Sequence, residues 1–400
     1  MKRAILLFFF TSLFSAQDIQ QDSLQVYLST LASDKMKGRL IGTQENEVAA
    51  NYIATVFKKN KLDFCIGNSY LIPFDFQGKI VYNVCGIKKG TNDSIVAFGA
   101  HLDHIGTKEF GDDTIYNGAD DDASGVTMVL ALSDYFKQKT NLLYTTMYIT
   151  YNGEESGMLG STALCEHTDF QDYLKKMLVE FNFEMLGTIS EKGENRMFMT
   201  GDELSNLDEI FNTNSVNNFQ IFADPYKNEN LFYRSDNVNF YKKGVVAHSF
   251  STVDMNNATH YHHVNDDISV INFTNLTLLA NNFAKTLEKV WSSYFKPKYG
   301  TNEYVKVETI SIEYDFPVVP SFDDKRISQY FTEMISIFLE YKEFAKKKDI
   351  QSIDLHGNKL QKLNKKYDID SIEKTASKND KTNIKLYMSQ LHDFIFKYFY

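Results

Sequence analysis

Apolar, β-branched runs that end abruptly in ligand-type residues constrain this chain more than any other feature. Residues 94–100 run into His101-Leu102-Asp103-His104, and residues 143–151 into Gly153-Glu154-Glu155. Residues 177–183 run into Glu184, and residues 245–250 lead, after a loop, to His260-Tyr261-His262-His263. Runs this short, rich in Val, Ile, Thr, Tyr and Phe, read as strands, with a further one at residues 79–84. Between them the apolar spacing turns helical. Val48, Tyr52, Val56 and Phe57 share a face of a helix over residues 44–60, and Val126, Val129, Leu130 and Leu132 mark one over 123–137. Residues 20–62 read as helical with a break at 37–42, and further helices are expected at 161–166 and 272–294. Strands alternating with helices predict a three-layer α/β/α fold around a mixed, mostly parallel central sheet. In such sheets ligands bind beyond the C-terminal ends of the strands, so the polar clusters are expected to meet along one rim.

Glu154 and Glu155 sharpen that expectation. Two adjacent carboxylates leaving a core repel each other unless positive charge lies near. Taken singly, each cluster has a plain reading. The HLDH stretch suits a solvated loop, the Gly153-Glu154-Glu155 stretch a turn, and the three aspartates of Ala119-Asp120-Asp121-Asp122 a helix N-terminus. Histidine pairs also occur on surfaces. Together they are the ligand types that hold zinc or related divalent ions. A pair of cations about 3.5–4 Å apart, bridged by a carboxylate, would neutralise the adjacent glutamates.

The ordered set GAHLDHIG, NGADDDASG, NGEESGMLGS, NFEMLG, RSDNVNFYKKGVVAHSF and HYHHVNDD resembles the dinuclear zinc exopeptidases of the bacterial aminopeptidase type, whose relatives include glutamate carboxypeptidases and glutaminyl cyclases. The likeness covers residues 20–295, including KGRLIGT near its start. It implies two Zn2+ ions per chain and a peptide substrate. Carried over motif by motif, His101 would bind one ion, Asp121 would bridge both, Glu155 would bind the second, and His262 would be the last histidine ligand. Glu184 would be a further ligand, standing where the aminopeptidases usually have aspartate; its longer arm bears on how many ions are held. Glu154 would be the general base and Tyr261 a hydrogen-bond donor to the developing oxyanion. Asp103, two residues after His101, would orient a ligand histidine. His104, Asp120 and Asp122 are left as supporting or capping residues, and His260 and His263 as neighbours of the ligand.

An aminopeptidase needs acceptors for a free ammonium, whereas a carboxypeptidase needs a cationic clamp, typically arginine. Beyond residue 16 the arginines are Arg39, Arg196, Arg234 and Arg326, and only Arg234, in YRSDN, falls near the site by motif position. The expectation is therefore an aminopeptidase. A carboxypeptidase of the same fold, a glutaminyl-cyclase-like acyltransferase and a binding protein on a retired peptidase fold are the alternatives. The retained Glu154 speaks against the last.

The formal net charge of −10, from 42 basic and 52 acidic residues, argues against nucleic acid as the main partner. Lys2 and Arg3, an apolar run over residues 4–14 and Ser15-Ala16 read as a signal peptide over 1–16, hence export to the periplasm or medium. No later segment reads as a membrane span, and oligomeric state is open. Cys65, Cys85 and Cys165 are an odd number, so pairing of any two leaves one over. The catalytic domain is expected over 17–295. Pro297, Pro317 and Pro320 then precede a helical C-terminal extension over 296–400, with amphipathic helices at 326–348 and 383–400 and no interpretable cluster.

Overall fold

The computed structural model describes residues 18–292, 295–300 and 319–345, with shorter stretches between 359 and 388. The signal segment, residues 1–16, lies outside the described residues. In chain order the helices are α1 (Gln21–Leu31), α2 (Gln44–Lys59), α3 (Gly125–Lys137), α4 (Leu159–Glu166), α5 (Gln171–Lys176), α6 (Leu207–Asn214), α7 (Asn237–Tyr241), α8 (Phe273–Trp291) and α9 (Lys325–Ala345). The strands are β1 (Asp63–Phe64), β2 (Leu71–Phe76), β3 (Lys79–Lys88), β4 (Ile95–His101), β5 (Thr145–Tyr151), β6 (Met177–Phe183), β7 (Arg196–Met199), β8 (Gln220–Ala223) and β9 (Val246–Ser251). They form one sheet in the order β1-β3-β5-β4-β6-β9-β7-β8, with β2 paired to β3.

The four central strands, β5, β4, β6 and β9, run parallel, so their C-terminal ends share one rim. Antiparallel pairs flank them, β3 on β5 and β7 on β9. Strand alternation divides the core by face. Val96, Phe98, Tyr148, Val179, Phe181 and Phe183 pack with α1, α2, α3, α6 and α8. Ala97, Met147, Ile149 and Tyr151 pack with α4, α5 and α7 on the other side. Helices on both faces explain why the central strands are apolar along their whole length.

Aromatic packing steadies the rim. The Phe98 ring stacks on Phe181 and Phe183 at 5.9 and 6.5 Å, and Phe283 of α8 meets Phe183 edge-on at 5.3 Å. Each such pair adds about 0.5–1.5 kcal/mol beyond its buried area. Phe98 lies three residues before His101 and Phe183 immediately before Glu184, so this packing fixes two candidate ligands in height.

Several expected elements differ in extent. The strand read as 79–84 continues to Lys88, and β1, β2, β7 and β8 are additional. The break expected at 37–42 is a 3-10 turn at Asp34–Arg39, with Lys37, Gly38 and Arg39 all at positive φ. Cys65 and Cys85 form a disulfide that ties β1 to β3, with Cα atoms 5.7 Å apart, and Cys165 is a buried free thiol. In the C-terminal segment Phe322, Ile327, Phe331, Met334, Leu363 and Tyr387 form a separate apolar cluster. Residues 389–400 of the second helix expected there lie outside the described residues. No helix among the described residues is long and apolar enough to cross a membrane.

Candidate metal centre

Register sets the geometry. His101, the last residue of β4, pairs with Tyr151 at the end of β5, and Gly99 pairs with Asn182 of β6. Glu154, Glu155 and Glu184 therefore leave neighbouring strands at the height of His101. Adjacent strands are about 4.8 Å apart, close enough for these side chains to converge. Gly153, at φ 78°, makes the turn that follows β5, and a Cβ there would meet Ile41 Cδ1 at 2.6 Å. Asp121 comes from the loop before α3. Its backbone N–H and that of Asp120 donate to the two carboxylate oxygens of buried Asp266, at 3.0 and 2.8 Å. His262 comes from the loop after β9.

The donor atoms fall into two groups that share Asp121. In the first, His101 Nε2 lies 3.1 Å from Asp121 Oδ1 and 3.2 Å from Glu184 Oε1. In the second, His262 Nε2 lies 3.2 Å from Asp121 Oδ2 and 3.1 Å from Glu155 Oε2. His104 joins that second group, with Nδ1 2.8 Å from Glu155 Oε1. One ligand atom from each of His101, Asp121 and Glu184, and likewise of His104, Asp121 and Glu155, lies within 4.8 Å of the others.

These donors fit divalent cations. His101 Nδ1 lies 3.1 Å from the carbonyl oxygen of Asp103, which can only accept, so the ring proton sits on Nδ1. Nε2 then points a lone pair at two carboxylate oxygens, a repulsive contact that a cation between them converts into coordination. Asp121 Oδ2 is buried and has imidazole nitrogens around it, His262 Nε2 at 3.2 Å and His104 Nδ1 at 3.8 Å, surroundings that suit a carboxylate sharing a cation.

Protonation preferences separate the two adjacent glutamates. Burial would raise Glu155, but His262 and His104 outweigh it and hold its carboxyl down to about 2. Glu154 is pushed well above the ordinary carboxylate range, first by burial and then by the neighbouring charges of Glu184 and Glu155. Asp121 is held well below its usual value because three histidines override its burial.

The supporting residues are arranged differently from the sequence expectation in one respect. The Asp103 carboxylate grips the backbone that carries Glu154: Oδ1 accepts from Gly153 N–H at 2.7 Å and Glu154 N–H at 3.1 Å. The contact that orients His101 comes from the Asp103 backbone carbonyl, and Oδ1 stands 3.9 Å from Nδ1. Asp122 caps α3 at Gly125 N–H and also accepts from Met185 N–H. A Cβ on Gly125 would come within 2.5 Å of that carboxylate, so glycine is required there. Asp120 accepts from Gly187 N–H and pairs with His260 Nε2 at 2.9 Å, which draws His260 away from the donor groups. Tyr261 stacks on the His262 ring at 4.0 Å, and Arg234 Nη2 donates to its hydroxyl at 3.3 Å.

Arg39, Asp266 and the closeness of His104 to Glu155 escaped the sequence reading. Arg39 is 1% exposed and donates to the carbonyls of Leu31, Leu102, Asn117 and Gly118, bracing both ligand loops from beneath. Arg39 stands in KGRLIGT and Asp266 in HYHHVNDD, so the motifs were visible although the pairings were not. A cavity of ≈ 990 Å3 opens on the centre, lined by Asp121, Glu154, Glu155, Glu184, Tyr261 and His262 among others.

The sequence profile of Peptidase family M28 matches residues 83–287. The chain belongs to that family. Its matched part includes His101, Asp121, Glu154, Glu155, Glu184 and His262. Among its relatives, Aminopeptidase YwaD of Bacillus subtilis is 31% identical over 134 residues, 33% of this chain and 27% of that protein. The chain spans less than half the length of the curated relatives it matches. A structure of BSAP, a zinc aminopeptidase from Bacillus subtilis, shares the fold with a TM-score of 0.54 at 17% identity, over 72% of this chain and 98% of that one. Porphyromonas gingivalis glutaminyl cyclase shares it with a TM-score of 0.53 at 15% identity, over 68% and 99%. Within this M28 chain the extra methylene of Glu184 is accommodated by Ser235, whose hydroxyl donates to Oε2 at 2.9 Å.

Proposed function

We propose that the protein is an exported aminopeptidase that works with two zinc ions and removes apolar residues from peptide N-termini. The observation that carries this reading is the position of Glu154, with its raised proton affinity, beside two donor groups that share Asp121 and face one cavity. His101, Asp121 and Glu184 would hold one ion, and Asp121, Glu155 and His262 the other. Divalent ions there supply Lewis acidity toward a scissile carbonyl and lower the pKa of a water toward about 7.

Glu154 takes the proton from the attacking water and passes it to the departing amine, so the carboxyl must be able to hold a proton near neutral pH. Asp103 keeps that base in place through the backbone N–H groups of Gly153 and Glu154. Tyr261 would donate its hydroxyl hydrogen toward the developing oxyanion, a role supported by Arg234, which donates to the hydroxyl oxygen and leaves its hydrogen free for another acceptor.

Among the described residues the cavity offers a carboxylate terminus no uncommitted cationic clamp: its one guanidinium, Arg234, is already shared between Tyr261 and Glu229. Met185, Phe198, Val253 and Met255 form an apolar wall suited to an apolar first residue. The Cys65–Cys85 disulfide supports passage through an oxidising compartment, in line with the signal-like residues 1–16.

The test is metal content per chain together with product analysis on N-terminally free and blocked peptides, for wild type and Glu154→Gln. The reading requires two ions per chain, release of free amino acid from unblocked peptides only, and loss of turnover with metal retained in the variant. Cleavage confined to blocked peptides would overturn it, and conversion of N-terminal glutamine to a cyclised product would replace it with an acyltransferase. Sequencing of the mature N-terminus checks export, with Gln17 expected as the first residue.

A further inference from the structure

The cavity has two walls of unlike chemistry, and the sheet places them on opposite sides of the centre. The apolar wall belongs to β7 and to the loops beyond β6 and β9, on one side of β4 and β5. On the other side stands the β2–β3 hairpin, whose tip contributes Asp75, Phe76 and Gln77 to the same cavity.

Register explains why the hairpin reaches so far. β3 pairs with β5 only from Val84, opposite Thr150, to Lys88, opposite Thr146, yet β3 begins at Lys79. Five further residues at about 3.4 Å each carry the tip roughly 17 Å past the last pair, over the loop that holds Glu154 and Glu155. Gln77 and Gly78, with φ of 52° and 79°, form the tight turn. The tip is anchored: Lys79 Nζ donates to the Gly42 carbonyl at 3.1 Å, and the Phe76 ring lies so close to Gly42 that a Cβ there would meet it at 3.2 Å.

Asp75 has charge to spare. Its Oδ1 accepts only the turn N–H of Gly78, at 3.2 Å. Among the described residues no lysine, arginine or histidine pairs with it, whereas Asp121, Glu155 and Glu184 are committed to the donor groups and Glu154 to proton transfer. Beside it Phe76 offers a half-buried aromatic ring.

We infer that the hairpin tip is the subsite for the residue that follows the scissile bond, and that it selects a side chain with an apolar stem and a cationic head, lysine or arginine. This rests on the aminopeptidase reading above. The stem lies along Phe76 while the charged end stays solvated beside Asp75 and the Gln77 amide. Successive strand residues point to opposite faces, so a ligand that touches both must wrap the ribbon edge, which a long flexible arm can do.

The test compares kcat/KM for Leu-Lys-Ala, Leu-norleucine-Ala and leucinamide on the zinc-loaded enzyme. Because Asp75 is exposed, the expected advantage of the lysine peptide over its norleucine counterpart is about twofold to fivefold. It should appear in KM and shrink between roughly 0.01 and 1 M salt. In Asp75→Asn the lysine-to-norleucine ratio falls to near one, a readout that cancels losses common to both peptides. In Phe76→Ala both peptides lose ground relative to leucinamide. An unchanged ratio in Asp75→Asn, or equal losses on all three substrates in both variants, overturns the subsite. No leucine release from any of the three by wild type overturns the aminopeptidase reading itself, and the subsite with it.

Discussion

The two donor groups that share Asp121 are built to different standards of enclosure. Glu155, Asp121, His262 and His104 have side chains 6, 3, 2 and 0% exposed, and Glu155 has a histidine at each carboxylate oxygen. The other group has an open member: Glu184 is 20% exposed and its second oxygen is held by one serine hydroxyl. Both groups line the cavity, but only Glu184 leaves a ligand-type carboxylate a fifth exposed, so on the two-ion reading the second group would hold its ion the more tightly. On the proposed two-ion reading, the contrast would give the second group the anchoring role and the first the larger share of substrate contact.

The harshest way to break that contrast is to remove what both groups share. Asp121→Ala should empty both, reducing bound zinc to near background and activity below that of any other variant. Retention of one full ion would show that the groups are independent. Glu154→Gln should lower kcat by about 10²–10⁴-fold, the usual worth of a general base, with zinc content unchanged by elemental analysis. Simultaneous metal loss would make Glu154 a ligand.

His104→Ala sharpens the comparison. It should weaken one of two zinc-binding phases about 10–100-fold, as loss of a supporting partner does, and leave the other phase in a calorimetric titration. Equal weakening of both phases would erase the distinction. Ser235→Ala should have the smallest effect, about tenfold or less on the open site, since water can replace the hydroxyl that donates to the partly exposed Glu184 carboxylate. A larger effect than that of His104→Ala would reverse the assignment of anchor and open site.

The Asp103 geometry shows how one motif can serve a different partner from the one its spacing suggests. An acid two residues after a ligand histidine is within reach of the imidazole. Here the main chain makes that contact, which frees the carboxylate to hold the turn at Gly153 and Glu154. Glu154 and His101 are thereby linked through a single residue.

What the sequence by itself determined is local in origin. Residue types with a strand or helix period mark the central strands and the principal helices, because side-chain direction repeats every two or 3.6 residues. The ligand types His, Asp and Glu at strand ends were likewise legible, since metal chemistry restricts which side chains can serve. The tertiary structure alone decided which of these groups meet. That His104 backs Glu155 while His260 turns to Asp120, that Arg39 braces two loops, that Cys65 pairs with Cys85 and that β3 overshoots β5 to hang a hairpin over the cavity all depend on strand order and loop closure. Those contacts join residues 20 or more positions apart, and no short-range period encodes the distance between them.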